Sequence, residues 1–124
     1  MNANGYKRQI IERLKSLSLY KPEFTPTIER LASLYVECDQ IDEQYEADGA
    51  CPVIMHTNTT GKTNPKKNPI LEARDTVYTQ ILSHERELGL TPAALKKINE
   101  SILKTKQVSG FASALADALR GAGE

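Results

Sequence analysis

The chain of 124 residues has the length of a single domain. Its 40% hydrophobic residues, without Trp, predict a mainly aliphatic core that a partner chain would help to stabilise. No apolar run approaches the roughly 20 residues of a membrane-spanning helix, and residues 1–15 lack the apolar centre of a signal peptide, so we expect an intracellular protein. The two cysteines favour free thiols over a disulfide, and Cys38, on an apolar helical stripe, is expected to be a small buried residue.

Charge is segregated along the first half of the chain although the formal net charge is zero. The net charge is +4 for residues 1–22, −7 for residues 23–52 and +3 for residues 53–68. Two interpretations remain open. The blocks are either ordinary solvated helix faces, or basic ends that contact a polyanion while the acidic helix stays away from it.

Apolar residues at helical spacing predict two helices in the N-terminal half. The first covers about residues 6–17 and ends before Pro22. Thr25 and Pro26, as an N-cap and first-turn pair, begin the second helix, which runs to about Asp48. Steps of three and four in the second helix are typical of helices packed almost parallel or antiparallel. The apolar residues are Ile10, Ile11, Leu14 and Leu17 in the first helix, and Ile28, Leu31, Leu34, Tyr35, Cys38, Ile41 and Tyr45 in the second.

The segment after Gly49 is too rich in Pro, Gly, Asn and Thr for a helix. Val53 to His56 and Thr59 to Asn64 are predicted to be the arms of a short hairpin around a polar tip. Because an isolated two-stranded ribbon is only marginally stable, we expect it to lean on the helices or on a neighbouring chain.

A capping pair, Asn68 and Pro69, predicts a third helix from Pro69 to Leu88. This helix has two apolar stripes, which are Ile70, Ala73, Val77, Ile81 and Leu88, and Leu71, Tyr78 and Leu82. Together the two stripes make an apolar face that is wider than one antiparallel helix can cover, which favours contact with another subunit. A larger core within the chain is the alternative.

The stretch ELGLTPAA predicts a sharp turn between two helices. Gly89 suits a left-handed cap, Thr91 an N-cap and Pro92 the first helical position, so we expect the last helices to fold back against the hairpin. The next helix is predicted to end near Lys106. After it, Phe111, Leu115 and Leu119 recur every four residues, as in a short amphipathic helix or a segment that becomes ordered on a partner. The expected division is a basic N-terminal segment (1–22), a helical core and oligomerisation domain (23–106) and a possible partner-binding tail (107–124).

No motif predicts catalysis, a cofactor or a metal site. The TTGKT stretch lacks the glycine that a phosphate-binding loop needs five residues before Gly61, where His56 stands. The two cysteines and two histidines lack the close spacing of zinc ligands. The carboxylates of the second helix are scattered around it, which is typical of a solubilising surface.

Basic residues near both ends of the helical hairpin remain as candidates for contacting DNA. Each cation placed on a phosphate releases counterions, and several copies of a weak site would multiply the effect. The candidate DNA-binding residues are Lys7, Arg8, Arg13, Lys15, Lys62, Lys66 and Lys67. The candidate oligomer-interface residues are Leu31, Leu34, Tyr35, Ile41, Leu71, Tyr78 and Leu82. A helix-turn-helix over residues 85–104 is less favoured, because its second helix has few base-reading side chains.

The order of these features resembles that of phage terminase small subunits. The resemblance covers about residues 25–102 and is carried by Asn68-Pro69-Ile70-Leu71 and by Gly89-Leu90-Thr91-Pro92-Ala93-Ala94. The chain departs from the family at Leu95-Lys96-Lys97, where Arg or Ser commonly follows the Ala-rich start.

The resemblance implies a mainly α, ring-forming fold with an antiparallel hairpin of long helices, a short β-hairpin or extended loop between them, and flanking terminal helices. It also implies a non-enzymatic subunit that recognises viral double-stranded DNA and regulates a large ATPase and nuclease subunit in the cytoplasm of a bacterial host. A helical adaptor that binds only protein, and a dimeric transcriptional regulator, are the alternatives.

Overall fold

A computed structural model describes the backbone of residues 1–122 and the side chains of residues 1–105 and 110–119. The elements are helix α1 (Ala3–Ser16), a 3-10 helix (Pro22–Phe24), helix α2 (Thr25–Ala47), strands β1 (Val53–Thr57) and β2 (Thr63–Lys67), and helices α3 (Pro69–Leu88) and α4 (Pro92–Ala122). The mainly helical fold with a β-hairpin between two long helices is confirmed. None of the helices in the described part is both long and apolar enough to cross a membrane.

Helices α2 and α3 form an antiparallel hairpin, and α1 packs on it. The Tyr35 hydroxyl donates to Glu85 Oε1 at 2.7 Å, and Arg74 lies 3.7 Å from Asp42, so the contacts run in opposite directions along the two helices. The Tyr6 hydroxyl of α1 donates to Asp39 of α2. The buried core consists of Ile10, Leu14, Ile28, Leu31, Ala32 and Leu88. Each fully buried Ile or Leu side chain contributes about 1.5–3 kcal/mol to the free energy of unfolding. These core residues come from α1, α2 and α3, so the three helices share the main stabilising contact.

The start of α2 differs from the predicted cap. The Thr25 hydroxyl donates to the Pro22 carbonyl at 2.6 Å, and no side chain caps the helix. The prediction of Thr25 as the N-cap is wrong, because the 3-10 helix at Pro22–Phe24 runs directly into α2 and Thr25 already has helical backbone angles.

The β-hairpin is antiparallel, with Val53 opposite Lys67 and Thr57 opposite Thr63. The predicted second arm, Thr59 to Asn64, begins too early. The Asn58 side-chain oxygen accepts hydrogen bonds from the backbone N–H groups of Thr60 at 3.1 Å and Lys62 at 3.0 Å. These bonds close a tip over residues 58–62, so the second strand starts only at Thr63.

The turn between α3 and α4 is as predicted, but α4 is longer. Gly89 has a φ of +80°, and Thr91 Oγ1 accepts from the Ala94 N–H at 3.2 Å. Helix α4 continues to Ala122, so the predicted end near Lys106 is wrong; no Pro follows Pro92, and Ala, a strong helix former, is abundant. The side chains of residues 99–105 and 110–119 are exposed, so α4 does not fold back along the helical hairpin as expected.

Candidate nucleic-acid and subunit interfaces

The β-hairpin is joined to the helices through Asn68. Its side-chain amide donates to the Cys51 carbonyl at 3.0 Å, and its backbone N–H donates to the Pro52 carbonyl at 2.9 Å. Its side-chain oxygen also accepts from the Ile70 N–H at 3.2 Å, which caps α3. One residue therefore fixes the base of the hairpin to the first turn of α3.

Three lysines project from this hairpin without a nearby acid in sequence. Lys62 closes the tip, whereas Lys66 and Lys67 end β2, and residues 49–71 contain no Asp or Glu. Lys66 lies opposite Ile54, and Lys67 lies opposite Val53, so these two lysines extend from opposite faces of the ribbon. All three are exposed.

The three lysines differ in their ion pairs. Lys67 Nζ lies 3.1 Å from Asp75 Oδ2 on the first turns of α3. Within the described residues, Lys62 and Lys66 form no salt bridge. They are therefore the two hairpin cations available to a phosphate without first breaking a contact.

The basic residues of α1 are less available. Lys7 Nζ lies 3.0 Å from Glu29, and Lys15 Nζ lies 5.3 Å from the centre of the Tyr20 ring. Arg8 and Arg13 are exposed. Helix α1 packs on α2 between Ile28 and Asp39, whereas the hairpin follows the C-terminal end of α2, so the two basic groups are attached to α2 at different places.

Arg13 also lies close to the hydroxyl of Tyr35. Burial and then the hydrogen bond to Glu85 raise the pKa of Tyr35 to about 12, although the positive charge of Arg13 acts in the opposite direction. The Tyr35 phenol is therefore neutral at physiological pH. It serves as a structural link between α2 and α3, not as a group that titrates in the cell.

The acidic residues of α2 lie next to the hairpin. Glu43, Glu46 and Asp48 are exposed at the end of α2. A phosphate backbone would be repelled by these carboxylates and attracted by the lysines of the hairpin that follows them. The arrangement favours contact of a polyanion with the hairpin over contact with α2.

The candidate interface residues separate into buried and exposed sets. Leu31 and Leu71 are buried within the protomer, so their side chains contribute to the folded chain itself. Leu34, Tyr35 and Ile41 are half-buried. Tyr78 and Leu82 on α3 are 46% and 40% exposed, which leaves an apolar patch that the chain does not cover.

Tyr78 is held in place by Arg74. The guanidinium of Arg74 lies 5.5 Å from the centre of the Tyr45 ring and 5.7 Å from that of Tyr78. Cation–π contacts of this kind contribute about 0.5–1 kcal/mol each at exposed sites. The role of Arg74 could not be predicted from the sequence, because its contacts depend on how α3 is aligned against α2.

A groove lies on the other side of the helical hairpin. An open cavity of about 540 Å³ is lined by residues of α2 and α3, among them Leu34, Glu37, Gln80 and His84. His84 Nδ1 lies 2.7 Å from the Gln80 carbonyl oxygen. No sequence pattern indicates this groove, because it exists only where the two helices are paired.

The apolar residues of α4 change sides along the helix. Leu95 and Ile98 are half-buried near the body of the protein. Phe111 follows Ile102 by nine residues, which is about half a turn of rotation, so the two side chains lie on opposite sides of α4. Phe111, Leu115 and Leu119 are 72%, 51% and 66% exposed.

The described residues show no arrangement for metal or phosphate-loop chemistry. Among them, no group of three or more His, Cys, Asp or Glu side chains is placed to hold a metal ion. Gly61 lies in the hairpin tip and is followed by β2, whereas a phosphate-binding loop leads into a helix. Cys38, half-buried, and Cys51, exposed, are free thiols.

Comparison with known proteins gives one family. Residues 6–102 match the family described as phage terminase, small subunit, whereas no curated protein and no solved structure matches the chain. Proteins of this family act in phage DNA packaging, are typically non-catalytic, and associate with phage DNA and the large terminase subunit in a phage-infected host cell. Since the match spans α1 to the first part of α4, the chain belongs to the family of phage terminase small subunits.

Proposed function

We propose that this chain is the DNA-recognition component of a phage packaging motor, acting as an oligomeric ring that regulates the large ATPase and nuclease subunit. The observation that carries the DNA part of the proposal is the exposed β-hairpin, with three lysines and no acid over residues 49–71. Its base is fixed to α3 by Asn68, so the lysines are presented by an ordered element.

Several copies are needed for useful affinity. One hairpin offers about three phosphate contacts, which give weak and strongly salt-dependent binding. Copies held together place their hairpins at a high effective concentration around the same DNA. The exposed Tyr78 and Leu82 patch supports such an assembly, since burying it removes apolar surface from water.

The C-terminal tail, residues 107–124, is proposed to contact the large subunit. Phe111 and Leu115 face away from the side on which Leu95 meets the body, and Phe111, Leu115 and Leu119 are all exposed. The described part of the chain covers α4 at Leu95 and Ile98 and leaves the side of Phe111 exposed. A partner protein therefore fits this exposed surface better than the chain's own core does.

Charge reversal of the hairpin tests the DNA contact. We expect Lys62→Glu with Lys66→Glu to weaken binding to duplex DNA and to reduce the slope of log affinity against log salt by about 0.9 for each phosphate that the variant no longer neutralises. The matched control is Lys96→Glu with Lys97→Glu on α4, which should bind like the unmodified chain. Equally weakened binding in both double variants would show that only net charge matters and would remove the hairpin as the contact.

Removal of the Asp75 carboxylate should act in the opposite direction. Asp75→Asn frees Lys67 for a phosphate, and an exposed ion pair is worth up to about 1 kcal/mol, so DNA affinity should rise by up to about fivefold per copy. Glu72→Gln, which removes a nearby exposed acid on the same helix, serves as the control. Fluorescence anisotropy at several salt concentrations measures both; weaker binding of Asp75→Asn would contradict the proposed role of Lys67.

A helical adaptor that binds only protein is the second candidate, favoured by the exposed apolar side of α4. It requires that the assembled chain shows no shift of viral duplex DNA at physiological salt. The same anisotropy titration separates the two candidates.

A further inference from the structure

Helix α3 presents two different surfaces on the two flanks of its contact with α2. Tyr78 and Leu82 form the exposed apolar patch on one flank, and Gln80 and His84 line the groove on the other. The steps from Tyr78 to Gln80 and from Leu82 to His84 are two residues each, or about 200° of rotation around the helix. The patch and the groove therefore face away from each other, and one protomer cannot bring its own patch into its own groove.

The shapes of the two surfaces are complementary. The groove is an open cavity of about 540 Å³ with Leu34 in its lining, whereas the patch is a projecting pair of large apolar side chains, Tyr78 and Leu82. The Arg74 guanidinium packs over the Tyr78 ring and restricts its position before any partner binds. Less side-chain freedom is then lost on association.

The charges beside the two surfaces are also complementary. Arg86 follows Leu82 by one helical turn, and Glu37 lines the groove. Within the described residues, neither side chain forms a salt bridge in the protomer. The other acid of the groove, Glu29, is already paired with Lys7, and the groove also contains Arg30, so Glu37 is the carboxylate available to Arg86 of a second copy.

We infer that copies of this chain associate head to tail, with the Tyr78 and Leu82 patch of one copy seated in the α2–α3 groove of the next. The contact is heterologous, so each copy keeps one free patch and one free groove until the assembly closes. This inference rests on the proposed function only in requiring that the chain assembles. It assigns the groove as the second half of the interface and does not depend on DNA binding.

Two single variants test the pairing. Leu82→Glu removes the patch and leaves the groove intact, whereas Gln80→Trp fills the groove and leaves the patch intact. Thr79, exposed on the side of α3 that faces away from α2, gives the matched controls Thr79→Glu and Thr79→Trp. Far-UV circular dichroism and thermal unfolding establish that each variant is folded, and light scattering gives the mass relative to the 13.8 kDa chain.

The expected result is that both Thr79 variants assemble like the unmodified chain, whereas Leu82→Glu and Gln80→Trp each remain single protomers. Mixing the last two should give a species of twice the protomer mass and no larger one, since they share one intact patch and one intact groove. Assembly of Gln80→Trp alone, or a mixture that stays at the protomer mass, would overturn the inference. DNA titration of the unmodified oligomer is a separate measurement, so failure of the pairing and failure of the DNA function are distinguishable.

Discussion

At the scale of single residues, Asn68 has a larger structural role than its capping pattern indicates. Its side chain bonds both the Cys51 carbonyl before β1 and the Ile70 N–H at the start of α3. The Asn-Pro pattern predicts the second bond, which is local. It does not predict the first, because Cys51 lies 17 residues earlier and reaches Asn68 only when the hairpin closes.

Substitution of Asn68 is expected to destabilise the chain. Asn68→Ala removes the cap and the bond to Cys51, which together are worth about 1–2 kcal/mol of unfolding free energy. Asn64→Ala, on the exposed face of β2, should cost much less. Urea unfolding followed by circular dichroism compares the two variants, and equal midpoints for both would show that the base of the hairpin does not need Asn68.

Contacts between residues of different helices and strands are the features that the sequence predicts least well. The ion pair of Lys67 with Asp75 could not be predicted from the sequence, because it depends on how β2 lies against the start of α3, and Lys67 stays a predicted DNA contact. Thr25 is a residue type that often caps helices, but it does not occupy the N-cap position of α2, since a 3-10 helix precedes it. The residue types near Thr25 do not predict that a 3-10 helix directly precedes α2.

At the scale of elements, the link between α3 and α4 depends on Gly89. Its φ of +80° disfavours any residue with a Cβ, and a Cβ there would lie 2.6 Å from Ile98 Cδ1 and 3.0 Å from Leu19 Cδ1. The sequence predicts the backbone conformation from the helix-ending pattern. The close packing of Ile98 and Leu19 is known only from the folded chain.

A pair of glycine substitutions tests this link. Gly89→Ala should destabilise the chain by about 1–3 kcal/mol, the cost of a strained left-handed residue, and steric contact adds to it. Gly110→Ala, inside α4 where no other element among the described residues lies against the new Cβ, should instead stabilise by about 0.5–1 kcal/mol through helix propensity. Thermal unfolding measures both; a stable Gly89→Ala variant would mean that the turn can adopt another conformation.

The ends of helices and strands are predicted well where Pro or Gly marks the end, and poorly at the other ends. Helix α3 has the predicted bounds, because Pro69 and Gly89 flank it. The β-hairpin tip contains Gly61, but this residue does not mark where β2 begins, and no Pro marks the end of α4. The tip is set by the hydrogen bonds of Asn58, and α4 continues through Gly110 because neighbouring Ala residues favour the helix.

At the scale of the whole molecule, the exposed side of α4 and the exposed hairpin are attached to different parts of the helical body. The hairpin connects α2 to α3, and α4 leaves from the opposite end of α3. The hairpin and the start of α4 are therefore separated by the length of α3, about 30 Å for 20 residues. We expect the proposed DNA contact on the hairpin and the proposed large-subunit contact on α4 to be independent. Variants in one should leave the other unchanged.

Substitutions on α4 test that separation. Phe111→Glu with Leu115→Glu should abolish the effect of this chain on the ATPase rate of the large subunit, because charged side chains cannot be buried at an apolar contact without a large cost. Mass and DNA affinity should remain those of the unmodified chain. Ser113→Glu, about 200° around the helix from Phe111, is the control. A double variant that no longer assembles would assign the tail to contacts between copies.

The sequence by itself determined the helical class, the hairpin between two long helices, the αL turn at Gly89 and the resemblance to terminase small subunits, because periodicity and caps act over a few residues. Only the tertiary structure decided which apolar residues form the core. Leu31 and Leu71 are buried within the chain, whereas Tyr78 and Leu82 remain exposed. The alignment of α2 against α3 makes this choice, and it also creates the groove, since both depend on contacts between residues about 50 positions apart.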